Sequence, residues 1–254
     1  MTIIAISDTH IGTSEADTPA TLRFLHSVEQ RAGDVTDLVL CGDILDFWRC
    51  DAMDMVLESS RFMSALINMA DAGVNIHYIA GNHDYVMRKA KSSHKRIKFS
   101  TDLELKQDGC IWDFIHGWEF DKFMKHAYFD AFCYTNITRG DAICKTYNMY
   151  LRFLQPIEGF LARIRGHFIQ NDMKQMIRQH DKTKLLKNQI PHGGDPLGSV
   201  DFPDGGLIFG HLHMPYLNAA ERMANCGSWH KSHPIHNTYI EIDESMVHLR
   251  REFE

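Results

Sequence analysis

Ile76-His77-Tyr78-Ile79-Ala80-Gly81-Asn82-His83-Asp84 is the run whose reading decides the fold. A mostly apolar, β-type stretch closes on glycine, and an amide, an imidazole and a carboxylate follow in three consecutive positions. An open α/β sheet presents its chemistry in this way, at the carboxyl ends of its strands. The layout recurs four more times. Residues 3–6 lead into Ser7-Asp8-Thr9-His10, residues 38–41 into Gly42-Asp43, residues 110–115 into His116-Gly117, and residues 207–209 into Gly210-His211-Leu212-His213.

Between these runs the periodicity turns helical. Thr18-Pro19 reads as a helix start, with Thr18 as N-cap and Pro19 at the first helical position, ahead of Leu22, Leu25 and Val28. Residues 53–72 read as one helix that offers Met55, Leu57, Phe62, Leu66 and Met69 for packing and stops at Gly73. A β-α-β-α-β order implies a largely parallel sheet with right-handed crossovers. Runs at 237–242 and 246–250 are expected to complete the body as an antiparallel layer. The alternation breaks after Phe120, where Phe123, Met124, Tyr128, Phe129 and Phe132 recur at helical spacing, and Pro156 opens a second such run with Phe160, Leu161, Ile164 and Phe168. The expected organisation is therefore a core of residues 1–119 and 191–254 with a helical cap, residues 120–190, inserted between two strands.

The 254 residues, 44% hydrophobic with only 17 Gly and 7 Pro, suffice for one large domain and argue against disorder. The net charge of −6 is unevenly spread: residues 120–190 hold 12 Lys and Arg against 6 Asp and Glu, leaving 15 against 27 elsewhere. That asymmetry suits one positive surface facing an anionic ligand, although Lys and Arg that merely solvate helices would look the same. The six cysteines show no paired spacing, so reduced thiols and a cytoplasmic setting are expected. Neither a leader nor a membrane span is expected from these residues, and peripheral contact with a membrane through the cap is compatible with them.

Asp8, His10, Asp43, Asn82, His116, His211 and His213 all stand directly after β-type runs. In extended chain, residues two apart share a side, so Asp8 with His10 and His211 with His213 can each aim at one point. Two carboxylates, one amide and four imidazoles form a mixed oxygen and nitrogen set that suits Mn²⁺, Fe²⁺ or Zn²⁺ better than Ca²⁺. Seven ligands exceed what one ion takes. They serve two, provided one carboxylate bridges.

Asp8-x-His10, Gly42-Asp43, Gly81-Asn82-His83-Asp84, His116-Gly117 and Gly210-His211-x-His213, in that order, resemble the five-block signature of the calcineurin-like metallophosphoesterases. The resemblance implies an α/β fold, a two-layered β-sandwich flanked by helices, with two divalent ions, Mn²⁺ foremost, at the strand ends. It implies that Asp8, His10 and His213 hold one ion, that Asn82, His116 and His211 hold the other, and that Asp43 bridges them. It further implies a metal-bridging hydroxide in line with phosphorus. His83 would then stabilise the transition state or protonate the leaving group, with Asp84 as its orienting partner and Gly81 permitting the turn.

The segment from His116 to Asp121, the helical insertion, and Asn225-Cys226-Gly227-Ser228-Trp229 are similar to the UDP-2,3-diacylglucosamine hydrolase group. That likeness implies cleavage of a diphosphate in a nucleotide-sugar lipid, with the cap holding acyl chains. Asn82, Lys174 and Arg178 are candidate substrate contacts, the last two standing four apart on one helical face. An Mre11-like nuclease or general phosphodiesterase is the alternative enzyme. Only 41 residues follow His213, and the overall acidity argues against nucleic acid as a partner. A non-catalytic scaffold on the same fold is a further alternative, from which lost ligands would be expected. The oligomeric state is left open.

Overall fold

The computed structural model describes residues 2–120 and 197–252, so the expected cap, with Lys174 and Arg178, lies outside the described residues. Strands β1 (Thr2–Ile6), β2 (Val35–Cys41), β3 (Asn75–Ile79) and β4 (Ile97–Ser100) run parallel, and β1 is the innermost of the four. On the other side of β1 the same sheet continues antiparallel through β11 (Thr238–Asp243), β12 (Met246–Arg251) and β7 (Gly198–Asp201). A second sheet follows the order β5 (Asp102–Gln107), β6 (Cys110–Ile115), β8 (Gly205–Phe209), β10 (Met223–Asn225) and β9 (Tyr216–Asn218).

Alternation along each strand sorts the core into two faces. Ile3, Ala5, Val39, Cys41 and Ile79 turn toward the second sheet and meet Trp112, Phe114, Ile208 and Ala224. Their neighbours Ile4, Ile6, Leu38, Leu40 and Ile76 turn the other way and meet Phe24, Leu25, Phe62 and Leu66. Those four belong to helices α1 (Thr18–Gln30) and α3 (Ser60–Asp71), which cover the outer face of the large sheet. The fold is the expected sandwich of two sheets flanked by helices.

Two local expectations are corrected. The N-cap of α1 is Asp17, whose side chain accepts from Ala20 N, and Thr18 already lies inside the helix. Residues 53–72 form two helices, α2 (Ala52–Glu58) and α3, because Ser59 gives its hydroxyl to Met55 O and serves as the cap of both. Leu57 consequently points outward and is 74% exposed. The last two strands complete the body antiparallel, as expected, and β11 does so by pairing directly with β1, Ile3 lying opposite Ile242. Strands β4, β5, β7, β9 and β10 are additions, although the polar and apolar alternation of Asp102-Leu103-Glu104-Leu105-Lys106 is visible in the sequence.

One buried acid ties α1 to the antiparallel half of the sheet. Glu241 on β11 accepts from both Arg31, just beyond α1, and Arg250 on β12. Burial would raise its pKa, but the two guanidiniums outweigh that and lower it. A depressed folded-state pKa stabilises above the unfolded value and loses that contribution as pH falls through the folded one. Glu241→Gln should therefore cost about 1 kcal/mol at pH 7, as both arginines are half exposed, with a thermal-melt gap to wild type that closes below about pH 4. Among the described residues no helix is long and apolar enough to cross a membrane.

Candidate metal centre

All seven ligand-type residues come together at the carboxyl ends of β1, β2, β3, β6 and β8. The backbone does this by a route other than extended chain. Asp8, His10, Asp43, His211 and His213 all have positive φ, between 47° and 67°, so β1, β2 and β8 each run into left-handed residues that aim their side chains inward. Non-glycine residues adopt that conformation at a cost of about 1 kcal/mol each, and such strain collects at functional sites. Gly42, at φ +82°, shares the turn, and a Cβ there would fall 2.5 Å from the His116 ring. Gly81 has another purpose than the turn expected of it: a Cβ would meet Asp43 Oδ1 at 2.2 Å, so glycine is needed for closeness.

Two groups of ligand atoms result. In one, His213 Nε2 is 3.1 Å from Asp8 Oδ1 and 3.2 Å from His10 Nε2. In the other, His116 Nε2 is 3.2 Å from both Asp43 Oδ2 and Asn82 Oδ1, and the His211 ring lies edge-on to His116 at 5.1 Å. Asp43 stands between them, its Oδ2 also 3.9 Å from His10 Nε2. Asp43 Oδ1 accepts from the backbone N–H of His83 at 2.7 Å, and Asp8 Oδ2 from that of His211 at 2.9 Å.

The donor set is that of a cation site. His10 Nδ1 lies 2.9 Å from Asp46 Oδ2, and His116 Nδ1 lies 2.7 Å from Cys41 O. Carboxylate and carbonyl can only accept, so each imidazole carries its proton on Nδ1 and, when neutral, turns a bare Nε2 into the centre. Around those lone pairs stand further acceptors, and Asp8 Oδ1 is fully buried without a hydrogen-bond partner. Burial would raise the pKa of Asp8, but His213 and His116 hold it at about 2; burial would likewise raise Asp43, but His116 and His83 hold it well below the carboxylate range. Burial opposes a charge on His116, yet Asp43 outweighs it and lifts its pKa to about 10, whereas burial and His116 push His211 down to about 3. Two ionised, buried carboxylates among convergent acceptors call for a divalent ion, which would take the place of the His116 proton.

Beside the centre the structure corrects one pairing. Asp84 is not the partner of His83. It lies wholly buried at the base of the loop, where its oxygens accept from Gly81 N at 2.7 Å, Ile44 N at 2.8 Å and the Tyr78 hydroxyl at 2.6 Å. It thereby ties the β3 loop to the β2 loop. The carboxylate beside His83 is Asp46, whose Oδ1 is 2.9 Å from His83 Nδ1, off the line of a good hydrogen bond. Burial opposes a charge on His83, but Asp46 and Asp43 outweigh it and raise its pKa. Trp48 stacks on the His83 ring at 4.2 Å, and Arg49 Nε lies 3.2 Å from Asp46 Oδ2.

Sequence reasoning missed Asp46, although it stands only three residues after Asp43. It also missed His230 and His233. His233 Nε2 lies 2.9 Å from His213 Nδ1, and the His230 ring is 6.0 Å from that of His10. Burial keeps both uncharged, at about 3 and about 4 for His230 and His233.

Residues 1–215 match the family model described as Calcineurin-like phosphoesterase. Among curated proteins, the UDP-2,3-diacylglucosamine hydrolase of Neisseria meningitidis serogroup B is 23% identical over 245 residues, 90% of each chain. That of Nitrosococcus oceani is 30% identical over 102 residues, so the match spans only 40% of this chain and 40% of that relative. A solved archaeal phosphodiesterase is 13% identical, with a TM-score of 0.46 over 98% of this chain and 99% of its own. Vps29 of Entamoeba histolytica, solved with zinc, is 12% identical, with a TM-score of 0.40 over 98% and 97%. With five strand ends converging on one ionised, ligand-rich centre, the chain belongs to the calcineurin-like phosphoesterase family and is a phosphoesterase enzyme.

Proposed function

We propose that the chain hydrolyses a phosphoester or diphosphate with two divalent ions, and that its substrate is a nucleotide-diphosphate-sugar lipid such as UDP-2,3-diacylglucosamine or a related diphosphate. The observation that carries this reading is the position of Asp43 between the two ligand groups. Asp8, His10 and His213 would hold one ion and Asn82, His116 and His211 the other, both sharing Asp43. When bound, the pair supplies a hydroxide nucleophile at neutral pH and neutralises charge on the phosphoryl oxygens. Mn²⁺ suits the mixed oxygen and nitrogen set, with Fe²⁺ or Zn²⁺ as substitutes.

His83 faces that centre as a protonated imidazole and donates to the phosphoryl or leaving-group oxygen. Asp46 supports the charge and the orientation of His83, and Trp48 limits the tilt of its ring. Asn82, whose Oδ1 lies 3.2 Å from His116 Nε2, would belong to the second ligand group and contact the phosphoryl group of a bound substrate. Support for the substrate class comes from the curated relatives. Lys174, Arg178 and the basic inserted segment would meet the diphosphate and the acyl part.

Metal analysis and a substrate panel in Mn²⁺ test the reading together. Two ions per chain are expected, with turnover of bis-p-nitrophenyl phosphate and faster turnover of a UDP-sugar lipid. Faster cleavage of single-stranded DNA would instead identify a nuclease. Two bound ions without turnover of anything would identify a scaffold.

A further inference from the structure

Each imidazole assigned to the centre has a second nitrogen, and what that nitrogen touches differs. For His10 it is the buried carboxylate of Asp46, and for His116 the buried carbonyl of Cys41. For His213 it is another imidazole: Nδ1 lies 2.9 Å from His233 Nε2, with the rings edge-on at 4.8 Å. His233 belongs to the segment between β10 and β11, which reaches the same ligand group a second time. Trp229 N and the Ser228 hydroxyl both donate to Asp8 O at 3.1 Å. The segment is pinned in turn by Asn237, whose N–H donates to Ser228 O at 2.8 Å and whose side-chain amide donates to Asp17 at 3.0 Å. One stretch of chain therefore fixes both the first ligand of the group, Asp8, and the last, His213.

We propose that His233 is the positioning residue of the Asp8, His10 and His213 group, accepting the Nδ1–H of His213 so that Nε2 is the nitrogen turned toward the ion. The proposal rests on the two-ion reading given above. A metal-ligating histidine needs its other nitrogen engaged to fix tautomer and ring angle, and loss of such a partner weakens binding about 10- to 100-fold. Because this partner is an imidazole on a connecting segment, and the partners of His10 and His116 are buried in the core, the effect should fall on one ion of the pair.

Calorimetric titration of the full chain with Mn²⁺, checked by metal analysis, tests this. Wild type should bind two ions. In His233→Ala one of the two binding events should weaken about 10- to 100-fold while the other stays unchanged, and turnover should recover at saturating Mn²⁺. His233→Gln, which keeps an acceptor, should stay within about threefold of wild type, since the partner hydrogen bond is retained. His236→Ala removes a contact inside the same segment, Nδ1 to His233 O at 2.8 Å, and should leave both events as in wild type. Unchanged binding in His233→Ala overturns the proposal while leaving the two-ion reading intact. Equal weakening in His236→Ala and His233→Ala also overturns it, since order of the segment would then be responsible. A wild-type chain that takes up fewer than two ions overturns the two-ion reading itself, and the role of His213 with it.

Discussion

Asp43→Ala is expected to lower phosphoester hydrolysis by at least about 10³-fold and to lower the ion content of the purified chain, with the fold retained at a lower thermal midpoint. The rate follows from what Asp43 does. Among the described residues it is the one carboxylate within 4 Å of imidazoles of both ligand groups, 3.2 Å from His116 and 3.9 Å from His10. Loss of the shared ligand removes several kcal/mol of charge stabilisation, and each 1.4 kcal/mol is a factor of ten in rate. The melt follows from a separate consideration. Without an ion, Asp43 is a buried charge held ionised by histidines, so its removal forfeits the hydrogen bond from His83 N and the 3.2 Å contact with His116 while relieving a desolvation cost, which lowers the midpoint and leaves the rest of the fold in place. Hydrolysis at the wild-type rate in Asp43→Ala would remove the basis for a shared carboxylate.

The ligand set could be read from the sequence because it is local: each member follows a β-type run directly, and strand ends in such a sheet gather at one edge. The way the side chains converge could not. Extended alternation was the reason offered for pairing Asp8 with His10, yet both residues are left-handed, and nothing in the identity of an aspartate or a histidine announces a positive φ. The partner of His83 was misread for a related reason. Asp84 is adjacent in sequence, but three short hydrogen bonds turn its carboxylate back toward β2, and Asp46 arrives from a separate loop. Sequence proximity is a poor guide where two loops interdigitate. The antiparallel strands β11 and β12 are legible as strands, but the pairing of β11 with β1 depends on a contact between residues 3 and 242 that no local pattern encodes. His233 left no signal at all, since its only distinguishing property is where the segment after Trp229 folds back.

Two carboxylates, Asp46 and Asp84, now have separable consequences. At saturating Mn²⁺, His83→Ala should lower kcat by about 10²- to 10⁴-fold, the range for loss of a positioned proton donor. Asp46→Asn should lower kcat by about 10²-fold, because the amide cannot support a charged imidazole in the way a carboxylate does. The double variant should be little worse than His83→Ala alone, as Asp46 assists the chemistry through His83. Asp46→Asn should also raise the Mn²⁺ concentration needed for half-maximal rate, since Oδ2 supports His10 at 2.9 Å. Asp84→Asn should behave in the reverse sense. Its amide would turn a donor toward N–H groups of Gly81 and Ile44 or toward the Tyr78 hydroxyl, costing about 2–4 kcal/mol of stability and lowering the thermal midpoint. Its kcat at low temperature should stay within a few-fold of wild type, because the fold is intact and the His83–Asp46 contact is untouched. If Asp84→Asn instead loses kcat to the extent of Asp46→Asn, with its melting temperature unchanged, then Asp84 and not Asp46 governs His83, and the 2.9 Å contact between Asp46 and His83 has no part in the chemistry.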